Sequence, residues 1–350
     1  MKRVHLFFLI VFLLSLLSSC HPYRIIEIET YNPSTLTFPK EIKTVMIVNN
    51  SAQQPDNVGH RYESNTKGDS VVSVSADSMA YIFCMSLGKT IADSPLFSDV
   101  RICEDTLRRD SLYYNTEIFK PDEVKSFCAD YGVDALISLD KLFFSTVDRE
   151  RTKLFLSESS RDIYVQITGE LRVLWPDQKE IYIIPFIDSL SWYYDDVVIS
   201  ENALKVVIEP DTRFAMLYLS DITGQKMQVN IVPFWSEDKR WYYTNINSDW
   251  KQGTVFARAE KWSEAANVWE PLLEKNKKWE QKARLALNIA LCYEMKGDFK
   301  KAIEFAETSY KLFEKHTSEN DAFYGMHKTY IDILNKRMEG DKLISKQLRE

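Results

Sequence analysis

Residues 288–302 read NIALCYEMKGDFKKA, and this stretch decides the architecture of the second half of the chain. Small residues stand on both sides of a short turn, Ala290 before it and Ala302 after it, at positions where two packed helices would cross. Tyr293 has the size to fill the gap between such helices, and Gly297 supplies the turn. The stretch therefore predicts two helices that pack closely against each other.

This order of small residue, Tyr, Gly and Ala resembles the tetratricopeptide repeat, a helix pair of about 34 residues that stacks into arrays with a concave face. An earlier copy is predicted around Ala265, with Glu260 where the turn Gly is expected. Pro271 falls inside its returning helix, which should kink or end early. Residues 318–348 are expected to form a polar terminal helix. The resemblance implies an all-α array over residues 248–350.

Arrays of this kind bind a peptide or a partner protein on their concave face. The geometry of the family implies that six residues line this face: Arg258, Arg284, Leu287, Leu291, Glu294 and Met295. Three of the six are apolar, so the face is also suited to being buried against the α/β domain. The sequence leaves an open groove and a buried face as alternatives.

The first half of the chain alternates strand-like and helix-like segments. Residues 42–48 are β-branched and apolar, as in a buried strand, and residues 49–68 are expected to be a polar loop. Further segments follow in the order helix, strand, helix, strand and hairpin: 77–94, 99–103, 121–131, 134–144, and 162–175 with 180–193. We predict a small α/β domain with a mixed sheet over residues 42–200, which makes the whole chain α+β. Its architecture resembles that of periplasmic lipoproteins such as the curli-secretion lipoprotein.

Residues 201–247 are expected to connect the two domains through a helix at 209–224 and an aromatic cluster. The cluster consists of VPFW at 232–235 and RWYY at 240–243. It is suited either to stacking on a sugar or peptide, or to forming a hydrophobic joint between the domains. A Pro–Trp segment, Arg-x-Tyr-Tyr and then paired helices resemble an uncharacterised family of Bacteroides-type lipoproteins.

The N-terminus has the parts of a bacterial export signal. Two basic residues precede an apolar run over residues 6–17, which is too short to span a ~30 Å hydrocarbon core comfortably. Residues 17–20, LSSC, resemble the lipoprotein signal box, and the Cys favours this over an ordinary signal peptide or a membrane helix. We predict a signal peptide over residues 1–19, lipid attachment at Cys20 and a Pro-containing tether over residues 20–41.

Two or more acyl chains on Cys20 would anchor the chain stably in a membrane. By resemblance to bacterial sorting rules, His21 favours the outer membrane, because it is not the Asp that retains some lipoproteins at the inner membrane. No acidic run follows the Cys, so the periplasmic face is expected. The implied partners are this membrane and an envelope protein or peptide.

Charge and cysteine usage argue against two classes of ligand. Without residues 1–19, which carry two basic and no acidic residues, the net charge falls from −7 to −9, and no basic block is present to bind nucleic acid. The remaining cysteines lack C-x-x-C spacing and nearby His, so no metal site is expected: Cys84, Cys103, Cys128 and Cys292. They are expected to be buried free thiols, with a Cys84–Cys103 or Cys103–Cys128 disulfide as the alternative.

No catalytic or cofactor signature is present in the sequence. It lacks Gly-x-Ser-x-Gly, His-Glu-x-x-His and a phosphate-binding loop. His316 and His327 lie on late predicted helices and are expected to face solvent, so general-base chemistry lacks a candidate. We therefore predict a non-enzymatic protein without a cofactor, over the competing hypothesis of a hydrolytic enzyme.

Five sites share the pattern Asp, hydroxyl residue, aliphatic residue, which resembles the O-glycosylation sequon of exported Bacteroides proteins. Ser70, Thr106 and Ser111 lie in predicted loops and are the expected sites. Helix capping by Asp and Ser is the alternative explanation of the same pattern.

These observations favour a lipid-anchored scaffold or adaptor of the cell envelope, which binds another protein through helical repeats. The alternative is a carbohydrate-binding envelope lipoprotein, because the chain is rich in aromatic residues, with 8 Trp, 18 Tyr and 19 Phe.

Overall fold

The computed structural model describes residues 23–64, 68–108, 110–153, 158–194, 201–244, 248–317 and 322–348. The chain forms two units. The sheet unit comprises Pro33–Phe234 and the residues from Lys346 onward, and the helical unit comprises the chain up to Asn32 and Trp235–Ser345. This division differs from the predicted one in two places. The predicted connector over 201–247 is shared between the units, and the predicted tether over 20–41 contains a strand of the helical unit.

The described elements follow one another in this chain order: β1 (Tyr23–Asn32), β2 (Thr44–Asn49), β3 (His60–Ser64), β4 (Ser70–Val71), α1 (Met79–Ala92), β5 (Asp99–Thr106), α2 (Pro121–Tyr131), β6 (Ala135–Lys153), β7 (Glu158–Leu174), β8 (Tyr182–Tyr194), α3 (Glu201–Lys226), α4 (Gln228–Ile231), β9 (Phe234–Tyr243), α5 (Ser248–Arg258), α6 (Trp262–Lys275), α7 (Trp279–Glu294), α8 (Phe299–His316) and α9 (Ala322–Leu348).

The long strand β6 organises the sheet unit. β2 and β3 pair in parallel with successive parts of one edge of β6, residues 135–139 and 146–150. β5 pairs in parallel with β2 and β4 antiparallel with β3, while β7 pairs antiparallel along the other edge of β6 and β8 with β7. The predicted mixed sheet is confirmed. The predicted loop over 49–68 is corrected, because β3 lies within it and its His60 and Tyr62 are buried.

Helices cover both faces of this sheet. α1 and α3 pack on one face, where Phe83 and Met216 join the main core. α2 packs on the other face through Val124 and Cys128. Successive residues of β2 alternate between these two cores, so every side chain in its middle is buried. Burial on both faces explains why the sequence around residues 42–48 is apolar throughout instead of alternating.

α1 and α3 approach each other closely at Gly224. A Cβ atom at this position would lie 2.5 Å from the carbonyl oxygen of Phe83, which belongs to the backbone of α1. A backbone oxygen inside a helix cannot rotate away, so only Gly allows this approach. α3 is longer than the predicted helix over residues 209–224.

Consecutive helices from α5 to α8 pack against one another in the helical unit. Gly297 has a φ of 75° and Glu260 a φ of 57° in the turns, a left-handed conformation that costs a non-Gly residue about 1–2 kcal/mol. α6 continues through Pro271 to Lys275, so of the two predicted effects of this Pro the helix does not end early, and a kink stays a prediction. The predicted helical C-terminal region is confirmed, and its tetratricopeptide relationship stays a prediction.

β1 and β9 form a separate two-stranded sheet in the helical unit, which we call the ribbon. Asn288 of α7 bonds both backbone polar groups of one residue of β9. The N–H of Tyr243 donates to Asn288 Oδ1 at 2.7 Å, and Asn288 Nδ2 donates to the carbonyl oxygen of Tyr243 at 2.8 Å. Tyr242 and Tyr243 are buried in the same core as Leu287 and Leu291. The predicted aromatic cluster is therefore divided: residues 235–243 belong to a strand of the helical unit, whereas residues 232–234 belong to the sheet unit.

None of the helices in the described part of the chain is long and apolar enough to cross a membrane. The predicted signal peptide and Cys20 lie outside the described residues.

Candidate binding groove

A cavity of about 710 Å³ opens in the helical unit between the ribbon and the first helices, and we call it the strand groove. Its wall on one side is a continuous run of β1, residues 24–29. β9 contributes Trp235 and Lys239. The remaining lining residues come from the α5–α6 turn region and from the residue after α7: Ala257, Arg258, Glu260, Trp262 and Met295.

The strand groove reaches around the backbone edge of β1. Successive side chains of a strand point to opposite faces, so a cavity on one face would be lined by every second residue. Here six consecutive residues line it. β1 pairs with β9 in a two-stranded sheet, and no other strand of the described chain pairs with β1. Over residues 24–29, its second edge therefore carries backbone N–H and C=O groups that have no strand partner among the described residues.

Large apolar side chains are exposed beside this edge. Ile25 is 58% exposed and Trp235 is 65% exposed. The ring of Trp235 lies 4.9 Å from that of Tyr31, centroid to centroid, so the indole is held in place on the ribbon. Clustered exposed apolar side chains, rimmed by charges, are typical of interaction sites.

Charges of both signs line the strand groove. Lys239 lies 4.0 Å from Glu27, an exposed ion pair that contributes little to stability. Arg24 and Arg258 are exposed, and neither forms an ion pair with a described residue. Two unpaired guanidinium groups therefore line the same cavity.

Tyr242 of β9 carries a hydroxyl whose pKa depends on the groove arginines. Its side chain is fully buried in the core of the helical unit. Burial raises the pKa of this hydroxyl, and the positive charges of Arg24 and Arg258 oppose the rise.

The structure separates the six residues predicted to bind a partner. Arg258 and Met295 line the strand groove. Leu287 and Leu291 are buried in the core against β9, and Arg284 lies over the Tyr243 ring at 5.4 Å. These three do not present an open concave face. The face is filled by the ribbon of the same unit, which was neither of the two alternatives that the sequence left open.

Glu294 is the sixth of these residues, and it is buried in an ionic cluster. Its carboxylate accepts hydrogen bonds from Arg240 Nε at 2.9 Å, the Tyr330 hydroxyl at 2.6 Å and Arg337 Nη1 at 2.5 Å. Arg240 belongs to β9, so the cluster joins the ribbon to α7 and α9. The role of Glu294 in the described structure is to hold these elements together.

The residues of β1 are the part of the groove that sequence reasoning missed. They fall within the predicted tether over residues 20–41, which rests on the Pro residues in that segment. A signal was nevertheless present: Ile26, Ile28 and Thr30 alternate with Glu27 and Glu29, as in a strand with one buried face.

The other predicted sites lie elsewhere. Ser70, Thr106 and Ser111 are all exposed, but Ser70 is in β4 and Thr106 ends β5, so only Ser111 is in a loop as predicted. The four cysteines are buried free thiols in this structure: Cys84, Cys103, Cys128 and Cys292. Burial raises the pKa of Cys84 and of Cys292 to about 12. Among the described residues, no group of three or more His, Cys, Asp or Glu could hold a metal ion.

The expectation that both late histidines face solvent is wrong for His327. His327 is fully buried, with Nδ1 at 2.8 Å from Ser309 Oγ and Nε2 at 2.9 Å from the Tyr243 hydroxyl. Ser309 is also buried and donates to the carbonyl oxygen of Ala283. His316 is exposed and stacks on a Trp ring. His327 thus joins β9, α8 and α9 through buried hydrogen bonds.

The family models that match this chain describe domains of unknown function. A search of curated proteins finds no match. Among solved structures, a minor lipoprotein from Acinetobacter baumannii is 10% identical, with 56% of this chain and 97% of that chain covered and a TM-score of 0.26. A neuraminyllactose-binding hemagglutinin homolog from Helicobacter pylori is 14% identical, with 56% and 83% covered and a TM-score of 0.22.

Two family models match the sequence itself. One, described as a domain of unknown function (DUF6340), matches residues 251–336 within the helical unit. The other, also described as a domain of unknown function (DUF8603), matches residues 42–243, which include the sheet unit from β2 onward and β9. Because this second match covers more than half of the sequence, the chain belongs to the DUF8603 family.

Proposed function

We propose that this chain is a non-enzymatic, lipid-anchored adaptor of the cell envelope, which holds a segment of another envelope protein in the strand groove. The supporting observation is the groove itself. Exposed Trp235 and Ile25 line it, together with a strand edge that has no strand partner, and two arginines that have no ion-pair partner, among the described residues. The LSSC box supports the anchor at Cys20. His21 and the lack of an acidic run support the outer membrane and its periplasmic face.

The helix pairs α5–α6 and α7–α8 support a relationship to tetratricopeptide arrays. In such arrays the concave face holds the ligand, but here the ribbon fills it and Leu287 is buried. The binding surface is then displaced to the rim of the array, where Arg258 and Met295 remain in the groove. This arrangement suits a partner segment that lies along β1.

Site-specific photo-crosslinking in intact cells tests the adaptor proposal. A benzoyl-phenylalanine in place of Trp235 should give one dominant crosslinked envelope protein. The matched control is Val255, which is 48% exposed on α5 in the same unit but does not line the groove. The same adduct from both positions, or none from position 235, would contradict the proposal.

The anchor has its own test. Cys20→Ser should move the protein from the membrane fraction to the soluble periplasmic fraction and abolish incorporation of labelled palmitate. Continued membrane association of this variant would refute lipid attachment at Cys20. Protease accessibility in intact cells then distinguishes the periplasmic from the external face.

Carbohydrate binding is the second candidate, and the exposed Trp235 ring favours it. An indole that is 65% exposed and supported by Tyr31 can stack on the face of a sugar. A glycan array with the wild-type protein and Trp235→Ala distinguishes the candidates. A glycan bound by the wild type and lost in the variant, with no crosslinked protein, would favour this second function.

O-glycosylation is proposed at Ser70, Thr106 and Ser111, because all three hydroxyl residues are exposed after an Asp. Periodate-based glycan staining of the native protein should be positive and should weaken when the three are replaced by Ala. Absence of staining in the wild type would refute it.

A further inference from the structure

We propose that the strand groove binds its partner by strand addition, as an extended segment that pairs with the free edge of β1 and places an acidic side chain between Arg24 and Arg258. This inference rests on the proposed adaptor function and adds the binding mode and the chemistry of the segment.

The backbone edge of β1 supports strand addition. Residues 24–29 line the groove consecutively, and this edge has no strand partner in the described chain. A strand edge presents hydrogen-bonding groups that pair readily with another extended chain. The element carries no Pro between Tyr23 and Asn32, so every residue of the edge keeps its N–H. The edge is thus complete as a template.

The length of the strand groove suits a short extended segment. Six strand residues at about 3.3 Å each span roughly 17–20 Å, so the groove holds an extended segment of about six residues. Alternate side chains of such a segment would face Trp262 and Met295, which are part of the groove lining. Apolar residues at every second position of the partner would fit these two side chains.

Two positive charges in the groove favour an acidic residue in the partner segment. Arg24 and Arg258 line the same cavity, and neither forms an ion pair with a described residue. A carboxylate placed between them would accept hydrogen bonds from both guanidinium groups. Arg24 is the first residue of the lining run, so the acidic side chain belongs at one end of the bound segment. Exposed Glu29 at the other end disfavours a second acidic residue there.

The probe is a library of ten-residue segments displayed between two folded flanks, so that no free terminus is offered. Selection on the full-length protein, purified in detergent, should enrich segments with alternating apolar residues and one acidic residue. The best-enriched segment is then synthesised with capped ends for affinity measurements. If no segment is enriched, or if enriched segments lack this pattern, the inference is overturned.

Backbone methylation of the synthetic segment tests the hydrogen bonds directly. In a strand added at an edge, alternate N–H groups point to the neighbouring strand. N-methylation at one set of alternate residues should therefore lower affinity at least tenfold, while the intervening set should have little effect. Equal sensitivity of both sets, or insensitivity of both, overturns strand addition.

Protein variants test the acidic subsite. The double variant Arg24→Gln, Arg258→Gln should lower affinity about 10–100-fold, as expected for charged hydrogen bonds. It should have no effect on a segment whose acidic residue is changed to its amide. The control is Lys251→Gln, an exposed residue of α5 outside the groove. An equal loss of affinity for the acidic segment and for its amide variant overturns the acidic subsite. If these binding tests fail while benzoyl-phenylalanine at position 235 still crosslinks an envelope protein, strand addition is refuted and the adaptor proposal stands.

Discussion

β1 in the helical unit and β8 in the sheet unit are both edge strands, but their edges differ. Among the described strands, β8 pairs only with β7, and it contains Pro185, which has no N–H to donate. In the same part of the chain β1 pairs only with β9 and contains no Pro, and its residues 24–29 line a cavity with arginines that have no ion-pair partner among the described residues. Native proteins interrupt edges that must not pair with other chains. This difference supports the proposal that the edge of β1 pairs with a partner segment.

β8 and β1 also differ in the contacts that support them. β8 packs its Phe186 on Phe83 of α1, with ring centroids 5.0 Å apart, so an apolar core supports it. The ribbon that contains β1 also packs in an apolar core, through Tyr242 and Tyr243, but buried polar contacts join it to α7 and α9 as well, through Glu294 with Arg240 and through Asn288. The position of the groove edge therefore depends in part on buried hydrogen bonds, whose loss is costly.

The largest expected effect follows from removing the charge at the centre of these contacts. Glu294→Ala leaves the buried Arg240 with only the longer 3.6 Å contact to Asp238 and should destabilise the helical unit by about 3–5 kcal/mol. The control Glu304→Ala, an exposed residue of α8, should change stability by less than about 0.5 kcal/mol. Urea unfolding followed by circular dichroism measures both. Similar stabilities of the two variants would show that the ribbon does not depend on this cluster.

A pair of glycine substitutions compares the packing of the two units. Gly224→Ala in the sheet unit places a Cβ 2.5 Å from a backbone oxygen and should cost about 1–3 kcal/mol. Gly325→Ala in α9 of the helical unit meets no atom within 4 Å and should stabilise by about 0.5–1 kcal/mol. Thermal unfolding should shift in opposite directions. A shift in the same direction would contradict the described approach of α1 and α3.

Asp134 provides a pH-dependent test of the sheet unit. Burial disfavours its charge, but hydrogen bonds from the N–H groups of Lys43 and Thr44 and from the Thr44 hydroxyl outweigh this and lower its pKa. Because the pKa is lower in the folded protein than the unfolded value of about 3.9, the ionised carboxylate stabilises the fold at pH values above about 3.9. This stabilisation is lost as the pH falls through the folded-state pKa. Asp134→Asn should therefore cost about 1–2 kcal/mol at pH 7 and progressively less below pH ~4. A pH-independent difference would contradict this.

The smallest expected effect on stability is at the groove. Trp235→Ala removes a side chain that is 65% exposed, so stability should change by about 0.5 kcal/mol or less. Binding of the selected segment should nevertheless fall at least tenfold, because interfaces depend on aromatic anchors. Isothermal titration calorimetry measures the affinity. Unchanged affinity would remove Trp235 from the site.

Local signals made some elements predictable from the sequence. α2 begins at Pro121 and ends at Tyr131 as predicted, because Pro fits the first helical position and Gly132 ends the helix with a φ of 60°. The N–H of Lys120 also donates to the Glu123 carboxylate at 2.8 Å. These determinants all lie within about twelve residues of one another.

Long-range pairing made other elements unpredictable. β3 depends on pairing of His60 with Thr146 in β6, and the ribbon on contacts such as Thr30 with Asp238. The strand groove joins residues 24–29 to residues 235–295, a relationship that local periodicity does not contain. The repeat pattern predicts the concave face, whereas its burial follows from a strand that precedes the array in sequence.

Hydrogen–deuterium exchange of the full-length protein, with and without the selected segment, tests the central claim most directly. The account predicts that binding protects alternate amides within residues 24–29 while β8 is unchanged. Protection confined to β8, or no change in β1 at saturating segment, would contradict the claim that β1 is the edge that receives a partner.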